Sequence, residues 1–147
     1  MQDLHDLGLM LDRNIPLILI ESYEEARVLE LLTRVGIKRG MAVQQWTISD
    51  GLRRLSFGED VDGLSTAQPV DALKNIKARE HGGMFLFCDL HPFLDEALVI
   101  RLLKDIAIQH DKHRKTLILL SHQIEATAEL QRYSVHFQVQ FPDEAQL

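Results

Sequence analysis

Pro16-Leu17-Ile18-Leu19-Ile20-Glu21 runs without a break into Ser22-Tyr23-Glu24-Glu25-Ala26-Arg27. The first stretch reads as a strand buried on both faces, because its apolar residues are consecutive rather than alternating. The second opens a helix directly after it. In α/β domains that bind phosphates, this junction carries a glycine-rich cradle with a lysine, G-x-x-x-x-G-K-[ST]. Here there is no glycine, no lysine, and a pair of carboxylates. Backbone N–H groups at a helix start attract anions. Ser22 and Glu25 have capping-box spacing, which predicts that those N–H groups are used internally. Glu24 and Glu25 would also repel a phosphate. The junction predicts a nucleotide-type scaffold whose phosphate chemistry is gone.

Strand and helix patterns alternate outward from that junction. Leu4, Leu7, Met10 and Leu11 mark one face of a short leading helix. A helix over 23–35 places Val28, Leu29, Leu32 and Val35 on one stripe, with Gly36 as its stop. Residues 41–46 form a second strand. The stretch 47–68 reads as a long irregular excursion, rich in Gly and Asp. Pro69 suits the first turn of a helix reaching about Arg79, which His81-Gly82-Gly83 ends. Met84-Phe85-Leu86-Phe87-Cys88 is apolar throughout and reads as an interior parallel strand. A helix over 94–109 follows, with Asp95 and Glu96 in its first turn. Residues 116–120 form a fourth buried strand. A short helix over 124–131 then leads to Val135–Phe141, whose alternation predicts an edge strand stopped by Pro142.

Such alternation predicts an α/β fold: a five-stranded, mostly parallel sheet with helices on both faces. The 147 residues fit one domain, 1–147, with an ordinary core. A hydrophobic content of 46% and a charged content of 26% are globular values. Neither a membrane span nor a leader is expected. The single cysteine, Cys88, excludes an internal disulfide and suits a reducing cytoplasm. Sixteen Lys and Arg against 22 Asp and Glu give a net charge of −6. That balance argues against nucleic acid as the main partner. The basic clusters are short: Lys38-Arg39, Arg53-Arg54 and Lys112–Lys115.

Three further sets of residues resemble a known group. Glu21 ends the first strand, Asp89 ends Phe85-Leu86-Phe87-Cys88, and Ser121 ends Thr116–Leu120. These positions resemble the Walker A strand, Walker B strand and sensor strand of AAA+ ATPases, which implies sheet order 5-1-4-3-2. The chain is similar, more narrowly, to the N-terminal half of an AAA ATPase family first named as a conserved plastid open reading frame. Ile18–Arg27, Val43–Gly51, Phe85–Leu94, Lys115–Ser121 and Val135–Pro142 carry that similarity. It implies that a complete AAA+ module, binding Mg-ATP through its own Walker A loop, follows this half in the full protein. Homo-oligomers in the full-length context, and a plastid stroma for some members, are implied likewise.

Within this chain the degenerate positions are Ser22, Glu24, Glu25, Asp89 and Ser121. Leu90 follows Asp89, where Walker B has a carboxylate to polarise water. No catalytic residue and no cofactor are expected. Asp89, His91 and His122 could converge at the carboxyl edge of the sheet as a metal site, but a structural role is the first expectation. Ser121-His122 lacks a nucleophile elbow. Cys88 reads as a buried, inert thiol. The favoured function is partner recognition or assembly beside an ATPase module. Trp46 reads first as closing the core at a strand end, with partner docking as the alternative; with Arg53, Arg54 and Phe57 it makes up the expected partner-binding residues, since aromatic and arginine side chains anchor interfaces. A weak nucleotide-binding domain and an α/β small-molecule or metal-binding module remain the alternatives.

Overall fold

A computed structural model describes residues 2–54, 63–125 and 127–139. Its elements in order are α1 (Gln2–Asp12), β1 (Leu17–Glu21), α2 (Glu25–Arg39), β2 (Val43–Thr47) and β3 (Gly51–Arg54). Then come α3 (Pro69–Ala78), β4 (Gly83–Cys88), α4 (Ala97–Ile108), α5 (His110–His113), β5 (Lys115–Ser121), α6 (Ala128–Gln131) and β6 (Ser134–His136). Single 3-10 turns sit at Gly63–Thr66 and His91–Phe93.

Among the described residues the strands form one six-stranded sheet in the order β3-β2-β4-β5-β1-β6. Apart from β3, this is the implied order, with β4, β5 and β6 as the third, fourth and fifth strands. Every pair is parallel except β2–β3. The sixth strand is the correction. Gly51–Arg54 turns back antiparallel on β2, with Trp46 opposite Leu52. The excursion expected over 47–68 is therefore partly regular, and its residues 55–62 lie outside the described residues.

Strand geometry sorts side chains to two faces. Leu17, Leu19, Phe85, Phe87, Leu117 and Leu119 face one layer with α3 and α4. Ile18, Ile20, Leu86, Cys88, Ile118 and Leu120 face the other with α1 and α2. Because both faces are covered, β4 and β5 are buried along their whole length, as their unbroken apolar runs predict. β6 is the sheet edge beside β1, shorter than expected, and residues 140–142 lie outside the described residues.

Other boundaries moved for physical reasons. α2 does not stop at Gly36; it runs to Arg39 and ends on Gly40 in the left-handed region at φ 67°. Gly36 is there for space. A Cβ would stand 2.6 Å from Val43 Cγ2 and 2.8 Å from the Met41 carbonyl. α4 begins at Ala97, so Glu96 is its N-cap and Asp95 precedes it. No helix of the described residues is long and apolar enough to cross a membrane.

Candidate functional site

In parallel sheets, loops at the carboxyl ends of the strands form the usual binding crevice. Here that edge is built from the β1–α2 junction, the segment after β4 and the segment after β5.

At the β1–α2 junction the expected capping box does not form. Ser22 Oγ accepts the N–H of Glu24 at 2.9 Å, two residues on. Glu24 takes the N-cap position without a side-chain cap, and α2 starts at Glu25. The hydroxyl therefore tightens a turn instead of closing a box, because the backbone reaches helical geometry one residue later than the spacing implies. Ser22 is also tied back to β5, donating its N–H to the Ser121 carbonyl at 3.0 Å. Glu24 pairs with Arg27 at 3.3 Å on the exposed surface. Both carboxylates stand where a phosphate-binding loop has its donors.

Cys88 reports the electrostatics of this mouth. Its thiol is buried and pushed up to about 12, first by burial and further by the negative charge of Glu25 and Asp89. Gln45 Nε2 donates to Cys88 Sγ at 3.4 Å and offsets part of that shift. The thiol is held in its protonated form, as expected of an inert cysteine.

Asp89 follows β4 in the left-handed region at φ 60° and is exposed. Its N–H reaches the Leu120 carbonyl at 2.8 Å, which splices β4 to β5 one residue past the strand. Ser121 is buried; its Oγ donates to the Gln123 carbonyl at 2.7 Å. Glu21 Oε1 accepts the N–H of Ile124 at 3.3 Å. Ser121 and Glu21 thus shape the loop after β5.

The histidines do converge, but in company with a tyrosine. His91 and His122 meet edge to face with centroids 5.2 Å apart. Tyr23 stacks on His122 at 5.6 Å with its ring planes 20° apart. Tyr23 is 87% exposed. His91 Nδ1 is buried and unbonded within the described residues. The result is a ladder of three rings across the carboxyl edge. Among the described residues no group of three or more His, Cys, Asp or Glu is placed to share a metal ion, and Asp89, His91 and His122 do not form one. Tyr23 escaped the sequence reading because nothing in its local context reveals that the loop after β5 passes beside it.

The expected partner cluster is not gathered. Trp46 is 0% exposed and donates its Nε1–H to the Thr66 carbonyl at 2.9 Å. It packs on Phe87 at 5.4 Å and on the edge of Phe93 at 6.4 Å. It is a core residue closed over by the Gly63–Thr66 turn, and a partner cannot touch it in this fold. Leu52 is buried too. Arg53 and Arg54 are exposed, with Arg53 held 3.4 Å from Asp50. Arg54 stands opposite Gln44 at the start of β2, away from the carboxyl edge. Phe57 lies outside the described residues.

The chain has recognisable relatives. The family model described as "SpoVK-like AAA ATPase, N-terminal domain" matches residues 3–139. A protein of Trieres chinensis described as "Uncharacterized AAA domain-containing protein ycf46" is 28% identical over 146 residues, covering 97% of this chain and 29% of its own length. The chain thus spans less than a third of that curated relative. Among solved structures, a chain from the Drosophila ORC bound to DNA matches with TM-score 0.46 and 11% identity, over 99% of this chain and 93% of that one.

Proposed function

The chain belongs to the SpoVK-like AAA ATPase N-terminal domain family, and from that premise we propose that it is a non-catalytic recognition or assembly domain serving an AAA+ module, with the carboxyl edge as its contact surface. One observation carries this reading. Where a phosphate cradle would sit, the junction offers Glu24 and Glu25, and beside it stands a ring ladder in which Tyr23 and His122 are exposed and His91 is half-buried. Phosphate needs donors; this mouth supplies acceptors and negative charge. Stacked rings with wet edges suit a protein interface, where tyrosine contributes large contact area at low entropic cost. The cellular setting we propose is a cytoplasmic or stromal compartment, with the domain held in oligomers of the full-length protein.

The test is affinity capture of the AAA+ module, or of an outside partner, by the wild-type chain and by Tyr23→Ala/His122→Ala. Weakened capture by a folded variant is the expected result. Capture unchanged by that pair but abolished by substitutions at the opposite edge would move the surface.

A second reading, weak nucleotide binding, is favoured by one detail. Ser22 Oγ engages the N–H of Glu24 alone, so the start of α2 is less fully capped than a capping box would leave it. Calorimetry with Mg-ATP separates the two. No saturation at physiological concentrations is the outcome expected of a recognition domain, and micromolar saturation would replace it with a nucleotide site.

A further inference from the structure

A large concavity lies at the opposite, amino edge of the sheet. It encloses about 570 Å³, within the ordinary range for small-molecule sites. Its walls come from the segment after α1, the end of α2, the α3–β4 loop and the α5–β5 junction. A neighbouring hollow of about 440 Å³ shares Ala42, Glu80, His81 and Gly82 with it.

These two hollows collect the basic clusters that are dispersed in sequence. Arg39, Lys112 and Arg114 line the first; Arg54 and Arg79 line the second. The opposing carboxylates in the walls are Asp12 and Glu80. Asp12 is committed to Arg39, with contacts of 2.6 and 3.2 Å between carboxylate and guanidinium. His110 and His113 are pinned through Nδ1 to the Lys115 and Glu80 carbonyls at 3.1 and 3.0 Å. Arg79 is oriented by a hydrogen bond to Gln44 and lies 5.4 Å over the Phe85 ring. Gly82 keeps the walls together: a Cβ there would run into the His113 carbonyl and stand 2.7 Å from that of Arg114. Lys112 and Arg114 are exposed. On a chain of net charge −6, this edge is where positive charge is concentrated and partly preorganised.

We propose that the amino-edge cleft binds a small anion carrying more than one phosphate group, with Arg114 and Lys112 as its primary contacts and Arg39 and Arg79 flanking them. A concave, cation-lined surface focuses positive potential. Guanidinium groups match phosphate oxygens two at a time. A single phosphate would fill only a fraction of the volume, whereas cations on several walls can be satisfied together by a longer anion. The site is separate from the carboxyl edge and does not depend on the recognition role proposed above.

Inorganic pyrophosphate is the probe, titrated into the full chain at low ionic strength and followed by calorimetry and amide NMR. Citrate serves as a carboxylate comparison. Saturable one-site binding is expected, with shifts at residues 80–83 and 110–114. Arg114→Gln/Lys112→Gln removes two charged contacts and should weaken it at least about tenfold, which a single charged hydrogen bond would already account for. Arg114→Lys should restore part of the affinity. Arg27→Gln, on the carboxyl edge, should leave it unchanged. Glutamine is as tolerable as arginine at φ 50°, so an unaltered melting curve is expected for the unliganded double variant. Absence of saturation overturns the proposal. So do affinity indifferent to the double variant, citrate binding tighter than pyrophosphate, or shifts centred on residues 22–26.

Discussion

The carboxyl and amino edges of this sheet are closed by different means. At the carboxyl edge, loops are tied by side-chain oxygens to backbone: Ser22 to Glu24, Ser121 to Gln123, Glu21 to Ile124. Glu21, Glu24, Glu25 and Asp89 are exposed there, with Arg27 paired to Glu24. At the amino edge, cationic and imidazole nitrogens tie the loops to carbonyls. Lys115 Nζ reaches the carbonyls of Lys77 and Arg79, and His110 and His113 hold those of Lys115 and Glu80. Parallel sheets usually place their chemistry at the carboxyl edge. Here the cations that could hold an anion stand at the other end. A net charge averages over both edges and hides that separation.

The largest contrast should appear at Cys88. Its thiol is pushed up to about 12 from 9.0, chiefly by burial. At pH 8 its thiolate population should be roughly a thousandfold below that of an unperturbed thiol. Native chain should therefore resist iodoacetamide, while unfolded chain reacts fully. Glu25→Gln removes one negative neighbour but not the burial, so it should raise the rate only a few-fold. Rapid labelling of the native chain would show that the Cys88 thiol is open to solvent and not shielded by burial.

The two ends of β5 provide the next test. Lys115 is 1% exposed, and its ammonium caps carbonyls at the end of α3. Lys115→Met should cost about 2–3 kcal/mol in urea denaturation, since a charged hydrogen-bonding group is lost. Ser121→Ala at the far end of the same strand should cost about 1 kcal/mol. Equal costs would erase the distinction between cationic and neutral closure. Burial, with Arg79 nearby, lowers the Lys115 pKa. The folded chain then binds that proton less tightly than the unfolded chain. Stability should rise with pH from the lowered value toward 10.5, and Lys115→Met should remove that rise.

The strands were legible because continuous apolar runs leave few alternatives for 17–20, 84–88 and 116–120; their order came only from what the resemblance to AAA+ ATPases implied. β3 was not legible, since Gly51-Leu52-Arg53-Arg54 is short and half polar; its single buried side chain is Leu52. Gly36 misled because a glycine required by the nearby Val43 side chain looks, in sequence, like one required by a helix end. Among site residues, the carboxylates of the β1–α2 junction were visible locally. The core role of Trp46 was legible from its place at a strand end, whereas the Gly63–Thr66 turn that excludes a partner from it was not. The meeting of His91 and His122 at the carboxyl edge was expected, but the part of Tyr23 in the ladder and the basic cleft were hidden for one reason. Each is assembled from loops far apart in the chain, and no periodicity records which loops share an edge.

Asp12 gives the smallest effect on folding and a sharp test of the cleft. Its carboxyl is held below the usual 3.8 by hydrogen bonding to Arg39, with burial opposing and the charge of Arg39 assisting. A lowered folded-state pKa means that the pair contributes stability above the unfolded value. That contribution is lost as pH falls through the folded one. The pair is solvent-screened, so Asp12→Asn should barely move the denaturation midpoint at neutral pH and should flatten only the acid limb. Its effect on binding should run the other way. Asparagine keeps an acceptor for Arg39 but removes the negative charge nearest that guanidinium, so pyrophosphate should bind more tightly. The increase should shrink with added salt, as expected for exposed charges. Unchanged affinity would mean that Arg39 stands outside the site and that Arg114 and Lys112 hold the anion without it. Weakened affinity would mean that the Asp12 pair positions Arg39, so that its orientation matters more than the charge that holds it.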